Sequence, residues 1–326
     1  MKYLTLLFLF LVVNPSQSLG TSLQSLLPIL SSNQIGVAQG HPEPELRGVL
    51  KLFILSGDGK PQYIKSTCSG ALVGLKPLTV FTARHCVENN GGSVNPVAFI
   101  SPDQKFYRAD RVLFPESTDL IQSDLALLTF LEATQIEGTE KDHFQYRAED
   151  LFSLAPVDYR VGDEVEFCGY GLESDSSSPD TSFEFKKLDL RCGKSQLIFT
   201  PTALAGWSDF GSDQEGVETI KKLLDSFSMG HRFLATGRYK DGEYQPTQPM
   251  TNRGDSGGPL FIRKNGTLHL IGITSALIAS KNTFVISALS ASISTPEGKL
   301  LIEKFLKEGV KLNGLTSIGS SDLPHN

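Results

Sequence analysis

Short apolar segments recur along most of this chain, and turn-forming residues separate them. The segment VLKLFILS at 49–56 ends at Gly57-Asp58-Gly59, a sequence typical of turns. Ten further segments of this kind follow, at 69–73, 78–82, 97–101, 125–130, 164–169, 188–192, 196–200, 260–263, 268–274 and 283–290. Many short strands divided by Gly, Pro, Asp and Ser predict an all-β chain, arranged as a sandwich or as barrels.

Two segments have a helical pattern instead, at 216–227 and 296–308. In the second, Leu300, Leu301, Ile302, Phe305 and Leu306 are expected to form one broad apolar face. Residues 311–326 are small and polar, which predicts a flexible tail.

The size and composition of the chain exclude several classes of protein. With 326 residues, 40% of them hydrophobic, the chain can bury a sizeable core, and its length suggests about two domains. A disordered protein would be poorer in apolar residues. The formal net charge of −6 gives no reason to expect nucleic acid or anionic membranes as partners.

The first residues predict where the protein is sent. Lys2 precedes an apolar run at 4–13, and Pro15 and a patch of small or polar residues at 16–18 follow. This order is typical of a secretory signal peptide, which we expect at 1–18. The alternatives are a buried helix and a membrane anchor, but ten apolar residues cannot span about 30 Å of hydrocarbon. We therefore expect a chain exported to the extracellular medium or the periplasm, with no membrane insertion.

Export changes the interpretation of the four cysteines, because disulfides persist in oxidising compartments. Four cysteines allow three pairings, and proximity in sequence favours Cys68–Cys86 and Cys168–Cys192. A metal site would use CxxC-type spacing, which the sequence lacks, so no metal is expected.

The motif GDSGGP at 254–259 carries the strongest chemical signal. It could be a simple glycine-rich turn. However, Ser256 stands in it as a reactive hydroxyl, and glycines allow the backbone to approach a substrate closely. The N–H groups of Gly254 and Ser256 can then point at one oxygen and stabilise a developing oxyanion.

A serine nucleophile needs a base, and His85 in TARHC at 82–86 is the candidate. Asp124 in SDLALL at 123–128 opens an apolar strand, where an unpaired carboxylate would be costly. Taken singly, either residue could be structural. Taken together with Ser256, a buried Asp124 would fix the tautomer of the His85 imidazole and stabilise its protonated form.

In this order, TARHC, SDLALL and GDSGGP resemble the signatures of the trypsin/chymotrypsin family of serine proteases. The resemblance implies that His85 is the general base, Asp124 its orienting partner and Ser256 the nucleophile. It also implies two packed six-stranded antiparallel β-barrels and a C-terminal α-helix, and it pairs Cys68 with Cys86. The implied protease domain covers 35–310, with the first barrel at about 45–155, the second at about 156–295 and the helix at about 296–309.

The specificity pocket implied by the resemblance is formed by Met250, Thr251, Thr274 and Ser275. A trypsin would carry an acid where Met250 stands, so cleavage after Arg or Lys is not expected. Thr274 and Ser275 could instead bind an acidic side chain. The chain also departs from the family in three further ways: Asn252-Arg253 replace the segment with the cysteine that braces the pocket, Ala276-Leu277 replace a Trp-Gly pair, and extra loops are expected at 135–150 and 203–232.

Family members commonly become active when a new N-terminal ammonium is buried against the aspartate that precedes the nucleophile. The corresponding residues are Ile35 and Asp255, which makes 19–34 a candidate propeptide and the protein a zymogen.

The sequence thus predicts a secreted serine endopeptidase that is a monomer, acts on protein or peptide substrates and needs no cofactor. Two alternatives remain open. One is a protease-fold protein that only binds partners, and the other is a narrow-specificity protease or esterase with a single partner substrate.

Overall fold

The computed structural model describes residues 41–42, 46–55, 64–88, 94–100, 106–115, 123–130, 146–171, 190–198, 233–237, 239–240, 243–244, 249, 251, 254–279 and 285–315. Several predictions lie outside these residues, namely the signal peptide at 1–18, the propeptide at 19–34, Ile35, the helix at 216–227 and Met250.

Fifteen strands and two α-helices make up the regular structure of the described residues. The strands are β1 (His41–Pro42), β2 (Val49–Leu55), β3 (Ile64–Leu75), β4 (Leu78–Thr82), β5 (Val97–Ile100), β6 (Phe106–Leu113), β7 (Ala126–Phe130), β8 (Glu164–Gly169), β9 (Arg191–Ile198), β10 (Phe233–Gly237), β11 (Tyr239–Lys240), β12 (Glu243–Tyr244), β13 (Pro259–Lys264), β14 (Thr267–Ala279) and β15 (Val285–Ser292). The helices are α1 (Arg84–Val87) and α2 (Pro296–Lys307), and a 3₁₀ turn spans Ala148–Asp150.

The first barrel is closed by six antiparallel strands in the order β2-β3-β4-β7-β6-β5, with β5 returning to β2. Apolar side chains fill its interior, among them the fully buried Phe81 and Phe99. The Phe99 ring meets that of Phe130 edge to face, with 4.9 Å between centroids.

The second barrel has the order β8-β9-β10-β15-β14-β13 and closes because β8 pairs with both β9 and β13. Strand β1 adds to β9 at its edge. Val165, Phe167 and Leu260 are buried in one of its apolar clusters. Two six-stranded antiparallel barrels and a C-terminal helix confirm the predicted fold class.

Strand β9 differs from its prediction, because 188–192 and 196–200 were expected to be separate strands. Gly193 between them is not a turn residue. A Cβ atom there would lie 2.5 Å from Pro249 and 2.8 Å from the Phe167 ring, so glycine serves a close approach of neighbouring segments. Strands β6 and β10, and the two-residue strands β1, β11 and β12, have no predicted counterpart. In β6, exposed Arg108 and Asp110 alternate with partly buried residues, which weakens its apolar signal.

Helix α2 lies within one residue of its predicted bounds, but its buried face is narrower than expected. Leu301, Ile302 and Phe305 are buried, whereas Leu300 is 64% exposed. Thr295 caps the start of the helix, and its side chain accepts a hydrogen bond from Gly298 N at 3.0 Å.

Residues 311–315 belong to the folded part of the chain, although a flexible tail was predicted from residue 311. Leu312 is buried, the Asn313 amide donates to Val73 O at 2.7 Å, and Asn313 O accepts from the Leu154 amide at 2.9 Å. These bonds hold the chain after α2 against β3 because they satisfy buried backbone groups. Residues 316–326 lie outside the described ranges.

None of the helices among the described residues is long and apolar enough to cross a lipid bilayer.

If α2 is an integral part of the fold, truncating its buried face should destabilise the whole protein. Phe305→Ala removes a side chain with no solvent exposure and is expected to lower the free energy of unfolding by about 3–5 kcal/mol. Leu300→Ala, on the exposed face of the same helix, is the control and should change it by less than about 0.5 kcal/mol. Denaturant unfolding of both variants measures the difference, and equal losses would contradict the observed packing.

Candidate active site

His85 lies in α1, a single helical turn that follows β4 directly. Two contacts fix this turn. Cys86 forms a disulfide with Cys68 on β3, and the buried Arg84 side chain donates two hydrogen bonds to Glu88, at 2.6 and 3.1 Å. The backbone that carries the imidazole is therefore held on both sides of His85.

Asp124 lies just before β7, and its carboxylate reaches His85 at two points. His85 Nδ1 is 2.7 Å from Asp124 Oδ2, and the His85 backbone N–H donates to Oδ1 at 2.8 Å. The Asp124 side chain is 6% exposed and that of His85 is 26% exposed. This arrangement orients the imidazole and leaves Nε2 as the ring nitrogen that can exchange a proton with a substrate or nucleophile.

Ser275 on β14 supplies a third contact to the carboxylate. Its hydroxyl donates to Asp124 Oδ2 at 2.5 Å. The sequence predicted Ser275 only as a residue of the specificity pocket, and the contact with Asp124 was not foreseen. No local signal reveals it, because 151 positions separate the two residues along the chain.

The pKa values of the pair follow from this geometry. Burial alone would lower the pKa of His85, but the charge of Asp124 and its hydrogen bond outweigh burial and raise the pKa of His85 above its ordinary value. Burial likewise opposes ionisation of Asp124, yet His85 and the bonds from Ser275 and the backbone lower the pKa of Asp124. The geometry thus favours an ionised Asp124 and an imidazole that accepts a proton readily.

Ser256 lies in the turn between residues 254 and 258, which leads into β13. Gly257 in this turn has φ +84°, and a Cβ atom there would lie 2.2 Å from both Ser69 O and Thr82 Oγ1. Only glycine allows the turn to pack so closely against the first barrel. The Ser69 amide then donates to Ser256 O at 2.7 Å, which joins the turn to β3.

The amides of the turn divide into two groups. The N–H groups of Gly257 and Gly258 donate to Thr274 O and Asp255 O, at 2.7 and 2.8 Å. By contrast, the N–H groups of Gly254 and Ser256 make no hydrogen bond with any described residue. Two amides without an acceptor in the described part of the chain, one on each side of Asp255, suit an oxyanion-binding pair.

The Cys68–Cys86 disulfide lies close both to the His85 imidazole and to the turn at 254–258, which we call the nucleophile turn after the predicted role of Ser256. Cys86 Sγ lies 3.8 Å from His85 Nε2 and also 3.8 Å from Ser256 O. The described residues contain no hydrogen bond between His85 Nε2 and the Ser256 hydroxyl. In hydrolases without substrate this bond is often long and shortens in the complex.

Cys68, His85 and Cys86 place their potential ligand atoms within 4.8 Å of one another, which is close enough for a metal ion. However, the two sulfurs are joined as a disulfide and therefore lack the thiolate form that binds metals. The other disulfide, Cys168–Cys192, joins directly paired residues of β8 and β9. Both disulfides are the pairs that proximity in sequence favours.

Of the remaining predicted site residues that the structure describes, Asp255 lies within the turn and Thr274 is bonded to it through its backbone carbonyl. Asp255 has no exposed surface and accepts a hydrogen bond from the Gly171 amide at 2.7 Å. Thr251 and Thr274 are 3% and 2% exposed, and no described residue forms a hydrogen bond with their hydroxyls.

The family assigned by sequence agrees with this geometry. The family described as trypsin-like peptidase domain matches residues 68–273, more than half of the chain. The chain therefore belongs to the trypsin-like peptidase family. No curated protein matches it in sequence.

The solved structures similar to this chain are distant from it in sequence. The protease Anisep from Arthrobacter nicotinovorans is 16% identical over 80% of this chain and 93% of its own, with a TM-score of 0.48. A thermostable serine protease from an extremophilic microorganism is 15% identical over 77% of this chain and 93% of its own, with a TM-score of 0.46. An inactivated protease paralogue of the scabies mite is 14% identical over 84% of this chain and 99% of its own, with a TM-score of 0.50. The likeness to the scabies mite structure is a likeness of fold alone.

The contact between His85 and Asp124 can be tested by titration. Because Asp124 raises the pKa of His85, the imidazole should titrate above the ordinary histidine value of about 6.5. In Asp124→Asn the charge is lost and the titration midpoint should move to lower pH. NMR titration of the imidazole measures it, with the His85 resonance identified by its loss in His85→Gln.

Asp110→Asn serves as the control for this titration. It changes an exposed carboxylate of the same barrel that accepts a hydrogen bond from Thr129 and should leave the His85 midpoint in place. A wild-type midpoint at or below the ordinary value would contradict the pairing.

Proposed function

We propose that this protein is a serine endopeptidase in which Ser256 is the nucleophile, His85 the general base and Asp124 its orienting partner. The observation that carries the proposal is the two-point contact of the Asp124 carboxylate with the His85 backbone and Nδ1. A surface aspartate would not hold an imidazole in this way, and the contact leaves Nε2 directed away from Asp124.

The proposed reaction uses only side chains and amides of this chain. Ser256 Oγ transfers its proton to His85 Nε2 and forms a bond to the carbonyl carbon of the substrate. The Gly254 and Ser256 amides stabilise the negative oxygen of the tetrahedral intermediate. As the C–N bond breaks, His85 returns the proton to the leaving amine, and an acyl-enzyme remains. Water then loses a proton to His85 and attacks the ester. As the acyl–oxygen bond breaks, His85 returns this proton to Ser256 Oγ and the acid product leaves.

We further propose that the enzyme does not favour Arg or Lys before the cleaved bond. Met250 supplies no negative charge, and two predicted pocket residues that the structure describes, Thr251 and Thr274, carry buried uncharged hydroxyls. Buried hydroxyls without partners are costly, so a substrate group that bonds to them would bind better than a purely apolar one. These two hydroxyls support a preference for substrates with an acidic or amide side chain before the cleaved bond.

The two disulfides support export, because cystines persist where the compartment is oxidising. We therefore propose that the protein acts outside the cytosol. Fractionation of cells that express the full-length chain tests this, and an intact N-terminus in the cytosol would contradict it.

The alternative is a protein that only binds partners. The scabies mite structure supports it, because that protein is an inactivated protease paralogue with a similar fold. Covalent labelling separates the two possibilities. A fluorophosphonate probe should label the wild-type protein at Ser256 and fail to label Ser256→Ala. Ser294→Ala, which changes another partly exposed serine of the second barrel, should be labelled normally. No labelling of correctly processed wild-type protein would favour the binding protein.

Substrate preference is tested by profiling cleavage of a peptide library and comparing wild-type protein with Ser256→Ala. We expect the Ser256→Ala preparation to lose nearly all turnover, which identifies the cleavages that belong to this enzyme. Among these, Arg and Lys should not be enriched before the cleaved bond. Their enrichment would show that a negative charge reaches the pocket from another residue.

A further inference from the structure

Ser69 on β3 is fully buried, and each of its polar atoms makes a hydrogen bond. Its amide donates to Ser256 O at 2.7 Å, and its carbonyl accepts from Thr82 Oγ1 at 2.8 Å. Its hydroxyl donates to Gly254 O at 3.0 Å and accepts from the Tyr170 amide at 3.0 Å. One small side chain therefore bridges the two barrels directly beside the nucleophile turn.

The segment after β8 holds the nucleophile turn at two successive residues. The Gly171 amide binds the Asp255 carboxylate directly, at 2.7 Å. The preceding amide, that of Tyr170, reaches Gly254 only through the Ser69 hydroxyl. Without this hydroxyl, Gly254 O and the Tyr170 amide would both lose the partner that they have in this structure.

Gly254 is the residue of the turn whose backbone most needs such an anchor. Its φ is +92°, which glycine adopts without strain. Because glycine also adopts many other conformations at little cost, this orientation is not fixed by the residue type. Its N–H makes no bond with any described residue, so its carbonyl is the group through which its orientation can be held.

We propose that Ser69 is a positioning residue for the oxyanion-binding amide of Gly254. By holding Gly254 O, the Ser69 hydroxyl limits rotation of the Gly254 backbone and keeps its N–H directed at the transition-state oxygen. This inference rests on the proposed peptidase function. Amides contribute most to catalysis when they are oriented before the reaction, since no reorganisation is then needed.

Ser69→Ala removes the hydroxyl and keeps both backbone bonds of the residue. We expect kcat to fall about tenfold while KM changes by less than about twofold, because the oxyanion exists in the transition state and not in the bound substrate. The inhibition constant of a peptide aldehyde of the same sequence should rise by a similar factor, since its adduct with Ser256 carries the same oxygen.

Ser195→Ala is the matched control. Ser195 on β9 is 3% exposed, and its hydroxyl donates to Gly237 O at 3.1 Å, so the variant removes an equally buried hydroxyl from a backbone carbonyl of the second barrel. Its kcat should stay within about twofold of wild type even if its stability falls as much as that of Ser69→Ala. Equal kcat values in Ser69→Ala and Ser195→Ala would overturn the proposal. So would a rise in KM of Ser69→Ala as large as its fall in kcat.

Two further measurements keep the outcome clear. If Ser69→Ala does not fold, Ser69→Gly replaces it, because the space left by Cβ admits water to the two backbone groups. A folded Ser69→Gly with wild-type kcat would also overturn the proposal.

Fluorophosphonate labelling of the wild type distinguishes failure of the proposed peptidase function from failure of the proposed role of Ser69. An unlabelled wild type refutes the peptidase function and this inference with it, whereas a labelled, active wild type with a fully active Ser69→Ala refutes only the role of Ser69.

Discussion

The hydrogen bond from the Ser69 amide to Ser256 O fixes the nucleophile turn of the second barrel against β3 of the first. The neighbouring Cys68 is bonded to Cys86, and Cys86 adjoins His85. The relative position of the imidazole and Ser256 is therefore set by how the two barrels pack. Packing of this kind is stiff, since protein interiors are as dense as organic crystals. The packed cores of the barrels therefore hold the residues of the candidate site in fixed relative positions.

A buried carboxylate is the second constraint on the site. Moving Asp124 out of water is expensive unless its oxygens are bonded. Here the His85 ring, the His85 backbone and the Ser275 hydroxyl provide these bonds. The contact with Asp124 also raises the pKa of His85, and the charge of His85 together with the three bonds lowers the pKa of Asp124. The contacts that stabilise the buried Asp124 carboxylate therefore also favour proton transfer to His85.

Much of the fold could be predicted because most strands combine apolar residues with clear turns at their ends. β4 and β8 have the predicted bounds, and α2 is close to them. β6 escaped prediction because exposed charged residues interrupt its pattern, and β9 was divided because Gly193 resembles a turn. In both cases the decisive contacts come from neighbouring segments, which a pattern along one strand does not contain.

The sequence by itself determined the family and contains the three signals on which the proposed chemistry rests: a serine in a glycine-rich turn, a histidine beside a cysteine, and an aspartate at the start of an apolar strand. These signals are local, since each depends on residues a few positions apart. The tertiary structure alone decided which hydroxyls support them. Ser275 reaches Asp124 across 151 positions and Ser69 reaches Gly254 across 185. Serine is common in strands, and a hydroxyl acquires a specific role only when folding brings a buried acceptor within about 3 Å of it.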